Sequence, residues 1–374
     1  MQSINESLIK IALELTLLPG VGKLTQIRIW KTYPNIYHLF KAEHKYLEAL
    51  GIPAEAMSML RSRAFQATAA EIFDWGVREG CHFLIHGNPG YPLLLNEIYD
   101  PPLVLYGRGH LEILTNPCIA IVGTRKPTLY GMQMAQGIAA DIGGRGITIV
   151  SGLARGIDAA AHRGCLESGG TTIAVLGCGI DIVYPKEHRQ LTQKILEKGL
   201  LISEFPPGAS PTPPNFPIRN RIISGLSWGT LIVEAREYSG SLITARLAME
   251  QNRELFAIPS NLTSPQSFGP NFLIKQGAKL VQSWRDIIEE LPSDLRQEIF
   301  SKEDAKPSAP ELELLSEEEL NLINILKQDE ATQFDKLYKS SGLEIPRLSD
   351  LLLKLETGGW IRQLPGNLYI RTRK

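Results

Sequence analysis

The sequence predicts an α/β protein: an extended Rossmann-like parallel-sheet core, preceded by a small helical domain and followed by a winged-helix domain. Three observations predict it. Apolar runs such as CIAIVG, ITIVSG, TTIAVLG, GLLISE and GTLIVEA recur through the middle of the chain, each ending near Gly or Ser and mostly followed by a helical stretch. Short apolar strands alternating with helices imply a parallel sheet covered on both faces. The segments on either side lack such runs and carry helical spacing instead.

Residues 1–68 read as the helical domain, with apolar positions recurring every three and four residues and Pro and Gly in the turns. Within it, LLPGVGKLTQIRIW (Leu17 to Trp30) resembles one helix-hairpin-helix unit. Its Gly-Val-Gly turn would present backbone N–H groups to a phosphate, with Lys23 assisting. A structural turn in a sterile-alpha-motif-like (SAM-like) domain is the other reading. Up to Arg63 there are eight basic and five acidic residues, a weak bias. The apolar stretch LIKIALELTLL from Leu8 is broken by Lys10 and Glu14, so neither a secretory signal nor a membrane span is expected there. A cytoplasmic protein without a membrane partner is the expectation.

Residues 69–290 form the Rossmann-like domain. Residues 291–313 read as a linker, since Ser293 to Glu313 is polar, charged and Pro-containing. Residues 314–374 form the winged helix: the helices ELNLINILKQ, FDKLYKSSG and IPRLSDLLLKLETGG, then the hairpin WIRQLPGNLYIRT turning at Pro365-Gly366-Asn367. From Glu311 to Lys374 there are eleven acids against nine bases, with Arg371, Arg373 and Lys374 as a small basic end. A helix that reads duplex sequence should be basic. Protein contact or weak DNA contact is expected of this domain instead.

The chain has 374 residues, long enough for two or three domains, and its 43% hydrophobic and 21% charged composition is that of an ordinary soluble protein. The net charge of −1 provides no global attraction to nucleic acid, so any such binding needs a local basic patch. Cys81, Cys118, Cys165 and Cys178 are scattered without metal-ligand spacing, which fits a reducing compartment and predicts no metal site.

Ligands of an open parallel sheet bind at the carboxyl ends of the strands, where Gly-rich turns meet helix N-termini. Four such turns stand out. IVGTRKPTLYG places Gly123 for a tight turn, Thr124 as a hydroxyl, and Arg125 and Lys126 as cations. SGLARGIDAAAHRG places Gly152 and Gly156 where the backbone can approach a ligand, with Arg155 between them. FPIRNRIISGLS supplies Phe216, Arg219, Asn220 and Arg221, and EYSGSLITARLA supplies Ser239, Gly240 and Ser241 at a helix start. One mononucleotide needs one such loop; several suit a longer polyanion. Four arginines on phosphates would give a log–log salt slope of roughly −0.7 per contact on single strands. Tyr130, Tyr184, Phe216 and Tyr238 lie near the turns and could stack on bases.

No catalytic residue is predicted. Asp158 and His162 read as an N-cap and a helix-side partner before they read as an acid–base pair. The GCG of Gly177 to Gly179 lacks the third Gly of a dinucleotide fingerprint, since Ile182 stands there, so no cofactor is expected. Glu204, Glu234 and Glu250 have no nucleophile or base paired with them in the sequence.

YPLLLNEIYDPPLVLYGRG, AIVGTRKPTLYG, SGLARGIDAAAH, ISEFPPG, FPIRNRIISGLS, SGSLITARLAME and NFLIKQGAKLV occur in the order found in the DprA/Smf (DNA-processing A) family, which the chain resembles densely from about Tyr91 to Val281. The resemblance implies binding and protection of single-stranded DNA, loading of RecA in natural transformation and recombination, dimerisation through the Rossmann-like domain, and no catalysis. It also implies that Arg125 contacts DNA, that Arg155 holds a basic position of the family, and that Arg219 and Arg221 match its RNR pair. Phe272, Leu273, Ile274 and Val281 correspond to the dimer surface, where an exposed apolar patch is expected. Ser260 after Pro259, and Pro270 between Gly269 and Asn271, depart from the family pattern just before that surface. The alternatives are a nucleotide-binding sensor and a nucleotide phosphoribohydrolase. The latter carries PGGxGTxxE, whereas YSGSLITARLAME here lacks both the double Gly and the Glu at that spacing.

Overall fold

The computed structural model describes residues 5–33, 35–304, 315–327 and 331–372. The chain divides into two compact units, Met1–Ile299 and Phe300–Lys374.

The first unit opens with α1 (Glu6–Leu17), α2 (Lys23–Thr32), α3 (His44–Ala49), α4 (Ala54–Arg61) and α5 (Gln66–Arg78). Asn5 caps α1, accepting a hydrogen bond from the Ser7 N–H at 2.9 Å. There follow β1 (His82–Ile85), α6 (Leu93–Asn96), β2 (Val104–Gly109), β3 (Cys118–Val122), α7 (Leu129–Gly143), β4 (Thr148–Ser151), α8 (Ile157–Glu167), β5 (Thr172–Leu176), α9 (Arg189–Lys198) and β6 (Leu200–Ser203). The unit continues with α10 (Asn215–Gly225), β7 (Gly229–Ile232), α11 (Gly240–Glu250), β8 (Glu254–Ala257), α12 (Phe268–Lys275), β9 (Lys279–Leu280), α13 (Trp284–Ile288) and α14 (Ser293–Asp304), whose last residues enter the second unit.

Nine strands form one sheet in the order β1-β2-β6-β5-β4-β3-β7-β8-β9. The seven from β6 to β9 run parallel, as the apolar runs predict, and β1 and β2 add an antiparallel edge. Every residue of β3, β4, β5, β6 and β7 is buried, which is why these strands read as unbroken apolar runs rather than alternating ones. Strand order reverses at β3: β4, β5 and β6 are added on one side of it and β7, β8 and β9 on the other. The loops after β3 and β7 therefore diverge and leave a crevice above the carboxyl ends of these strands.

The helical front is packed onto the sheet. Leu13, Leu15, Leu39 and Leu47 share one hydrophobic cluster with Phe83, Ile85, Tyr106 and Leu201. The Trp30 indole N–H donates to the His86 carbonyl at 3.2 Å across the same junction. The stretch read as a linker begins as α14, and its residues 305–313 lie outside the described residues.

The second unit has the predicted winged-helix order: α15 (Glu317–Ile325), β10 (Thr332–Gln333), α16 (Phe334–Ser341), α17 (Ile345–Thr357), β11 (Ile361–Leu364) and β12 (Leu368–Arg371). Ser316 and Glu319 form a capping box on α15. Gly366 and Asn367 take the positive φ that the turn between β11 and β12 requires. Leu322, Leu337, Leu348, Leu351 and Trp360 fill its core. Among the described residues no helix is long and apolar enough to cross a membrane.

Candidate nucleic-acid interface

The four predicted turns meet at the carboxyl ends of the strands and line one open groove. Gly123, Thr124, Arg125, Asn220, Ser239, Gly240 and Ser241 all face it. A deeper recess beside it is lined by Arg125, Gly152, Arg155, Tyr184, Phe216 and Arg219.

Two glycines set this geometry. A Cβ on Gly123 would lie 2.6 Å from Ile157 Cγ1, so only glycine lets α8 come this close to the end of β3. Gly156, at φ +77°, precedes α8, and a Cβ there would meet the Thr124 carbonyl at 2.4 Å. The loops after β3 and β4 thus lie against each other. Asp158 holds the second loop: its carboxylate accepts the Gly152 N–H at 3.1 Å and the Ala154 N–H at 3.3 Å. It is not the N-cap, a position that Gly156 takes. His162 does not pair with it. The His162 Nδ1 lies 2.7 Å from the Thr172 hydroxyl, which itself donates to the Ile149 carbonyl, so Nδ1 carries the proton. Burial drives the His162 imidazole down to about 3 and keeps it neutral.

Arg125 and Lys126 are both exposed, and Arg125 lines the groove wall. The Arg125 guanidinium lies 5.4 Å over the Phe216 ring, and Phe216 packs on Tyr184 with centroids 5.5 Å apart. A cation and two aromatic rings therefore form one wall. Tyr238 stands on the groove rim at 93% exposure. Tyr130 does not line the groove, and its hydroxyl donates to the Pro259 carbonyl at 3.0 Å. Ser239 caps α11, placing the exposed Gly240 at the groove. Arg236, which lies just outside the sequence motifs, is exposed on the groove and has no ion-pair partner among the described residues. Its position just after β7, at a strand's carboxyl end, was the available signal.

Arg219 and Arg221 require a correction. They flank Asn220 in sequence, yet neither is a surface phosphate contact, being 4% and 3% exposed. Residues two apart on a helix point about 200° apart, and here both directions are covered. Arg219 turns beneath the groove and donates to the Gly152 carbonyl at 2.8 Å and to the Val175 carbonyl. Burial lowers its pKa to about 10 against the opposing pull of Asp158, and it stays charged at neutral pH. Arg221 turns the other way and is held by Glu204 at 2.8 and 2.7 Å and by Asp100 at 2.9 Å. Burial alone would lower the Arg221 pKa; the two carboxylates reverse this and leave it raised.

Glu204 also receives Lys23 at 2.6 Å. Lys23 is therefore not available to a phosphate at the Gly-Val-Gly turn, as the helix-hairpin-helix reading had it; it ties the helical front to the sheet. Burial outweighs Glu204 and lowers the Lys23 pKa. Arg155 is exposed at the recess but forms a bidentate pair with Glu187. Glu234 is fully buried, and its carboxylate accepts the Thr128 N–H at 2.9 Å and the Thr128 hydroxyl at 2.5 Å, closing the loop after β3.

The predicted apolar patch is also corrected. Leu273 and Val281 are buried in the core and Ile274 is half-buried. Only Phe272 of the four is broadly exposed, with its ring stacked on that of Phe268 at 6.0 Å. Ser260 and Asn271 bond reciprocally, Ser260 N–H to Asn271 Oδ1 at 3.3 Å and Asn271 Nδ2 to the Ser260 carbonyl at 2.9 Å. Pro270 sits in the first turn of α12, where its missing N–H costs nothing. Both departures from the family pattern are thus accommodated. In the winged helix, α17 has its cations paired: Arg347 with Glu318 and Lys354 with Glu319, each at 2.7 Å.

Residues 82–292 match the family described as DNA recombination-mediator protein A, and residues 303–367 match the DprA winged helix domain. Protein Smf of Escherichia coli K12 is 36% identical over 344 residues, covering 89% of this chain and 90% of that protein. The X-ray structure of DNA processing protein A from Streptococcus pneumoniae superposes with a TM-score of 0.67 at 34% identity, covering 78% of this chain and 99% of that one. DNA processing protein A from Helicobacter pylori, solved for its single-stranded DNA binding mode, gives 0.52 at 32% identity over 57% and 97% of the two chains.

Proposed function

As the chain belongs to the DNA recombination-mediator protein A (DprA/Smf) family, we propose that it binds and protects single-stranded DNA and promotes RecA loading in natural transformation and recombination, without catalysing a reaction. The observation that carries this is the groove at the switch point of the sheet. Its free cations, Arg125 and Arg236, stand beside the Tyr184–Phe216 ring pair and the exposed Tyr238. Phosphates bind such cations irrespective of sequence, and bases that are not paired in a duplex stack on such rings. Arg219 adds positive potential from below, as a positioning residue of the loop after β4 rather than a contact. The H. pylori protein's single-stranded ligand supports the same class of ligand here.

Absence of catalysis is supported by the state of the acidic groups. Glu234 is occupied by Thr128, Asp158 by two backbone N–H groups and Glu204 by two cations. The nucleotide phosphoribohydrolase alternative needs a carboxylate aimed at its substrate. Family resemblance supports RecA as the partner, and the stacked Phe268–Phe272 pair supports a homodimer through the α12 region. A cytoplasmic setting fits the four buried, unpaired cysteines.

Fluorescence-anisotropy titration with labelled single-stranded and duplex oligonucleotides of equal length, at two salt concentrations, tests the function. Preference for the single strand, weakened by salt, is expected. Absence of binding at low salt by the folded protein would refute it.

A further inference from the structure

We infer that Glu187 is a built-in competitor for the DNA site: its carboxylate occupies Arg155 in the free protein, and a phosphate must displace it before that arginine can hold a strand. The inference rests on the proposed function and adds a component that weakens it. Arg155 offers Nε and Nη2 to the two Glu187 oxygens at 2.5 and 2.6 Å. That two-pronged face of the guanidinium is the one that would hold two oxygens of a phosphate. The two ligands therefore exclude each other.

Glu187 is held against the loop that carries Arg155 and is not a freely swinging surface acid. It lies in the short turn Lys186–His188. On one side of that turn, Tyr184 packs on Phe216. On the other, the buried His188 places Nδ1 2.9 Å from the carbonyl of Leu153, in the same loop that carries Arg155. The strap bearing the acid and the loop bearing the arginine are thus fastened to each other beneath the ion pair. The pair itself faces solvent, with the two side chains 60% and 52% exposed. Such a pair is weakly held and can be opened by an incoming anion. Arg125 and Arg236, by contrast, form no ion pair within 4 Å among the described residues, so this restraint acts on the cation of the recess.

The consequence is legible in salt dependence. A phosphate that binds a bare arginine releases counterions, contributing roughly −0.7 to the slope on single strands. A phosphate that displaces Glu187 frees a carboxylate, which recruits a cation and cancels that contribution. Arg155 should then be nearly silent in the wild-type slope and become visible when the acid is removed.

The test uses the full chain and its Glu187→Gln, Arg155→Ala and double variants, titrated with labelled oligothymidylate over a range of salt. Thermal melts establish that each variant is folded. Glu187→Gln should bind about two- to fivefold tighter at low salt, with a slope steeper by roughly 0.7. Arg155→Ala should bind more weakly than wild type, since Glu187 then faces the strand without its counter-ion, and it should abolish both gains in the Glu187→Gln background. Wild-type binding that Glu187→Gln leaves unchanged or weakens would overturn the inference and leave the proposed function standing. Absence of single-strand binding by every folded variant would overturn the function and the inference with it.

Discussion

Arg221→Met separates a structural role for the second arginine of RNR from a DNA-contact role. The substitution keeps the aliphatic stem and removes the charge from between Glu204 and Asp100. Asp100 is partly exposed and can be hydrated, whereas the Glu204 side chain is 6% exposed and keeps only Lys23 as counter-ion. Removing one partner of a buried pair costs about 3–5 kcal/mol. The remaining Lys23 places the expectation near the lower end, about 3 kcal/mol. The unit Met1–Ile299 unfolds with an entropy of about 2.1 cal/mol/K per residue, so each kcal/mol shifts Tm by about 1.6 °C, and a fall of roughly 5 °C is expected by calorimetry, with a matching loss in urea denaturation. Adding Glu204→Gln removes the stranded charge and should restore much of the loss. On the folded variant, the salt slope of single-strand binding should equal that of wild type. A variant as stable as wild type whose slope is shallower by roughly 0.7 would refute the structural role and return Arg221 to the phosphate track.

Arg125→Ala should weaken binding to all single-stranded sequences alike and flatten the salt slope by roughly 0.7, read by anisotropy at several salt concentrations. Phe272→Asp places a charge on the stacked pair and should convert a dimer to a monomer in sedimentation velocity; an unchanged dimer would put the interface elsewhere. His162 gives a pH dependence. Its folded pKa of about 3 lies below the ordinary value of 6.5, so as pH falls below 6.5 the unfolded chain takes up a proton that the folded chain refuses. Stability should therefore fall with acidification by up to about 1.4 kcal/mol per pH unit between 6.5 and 3. His162→Gln should flatten that limb in denaturant titrations, and an unaltered limb would show that His162 does not contribute to it.

The α/β class, the winged helix and the four turns that line the candidate groove were all readable from contiguous residues. An apolar run such as CIAIV states by itself that both faces of its strand are covered, and the glycines after it state where a helix begins close by. What those residues could not state is which cation is free, because a counter-ion can come from anywhere in the chain. The partner of Lys23 is 181 positions away and that of Arg155 is 32 positions away. Arg219 and Arg221 look alike in RNR, and only the packing of α10 sends one under the groove and the other to Glu204 and Asp100. Leu273 and Val281 look like a surface patch until α12 and β9 are set against the sheet, which buries them and leaves Phe272 outside. Local periodicity is written residue by residue and so survives in one dimension. Charge pairing and burial are properties of what two distant segments bring together, and for this chain the folded arrangement alone decided them.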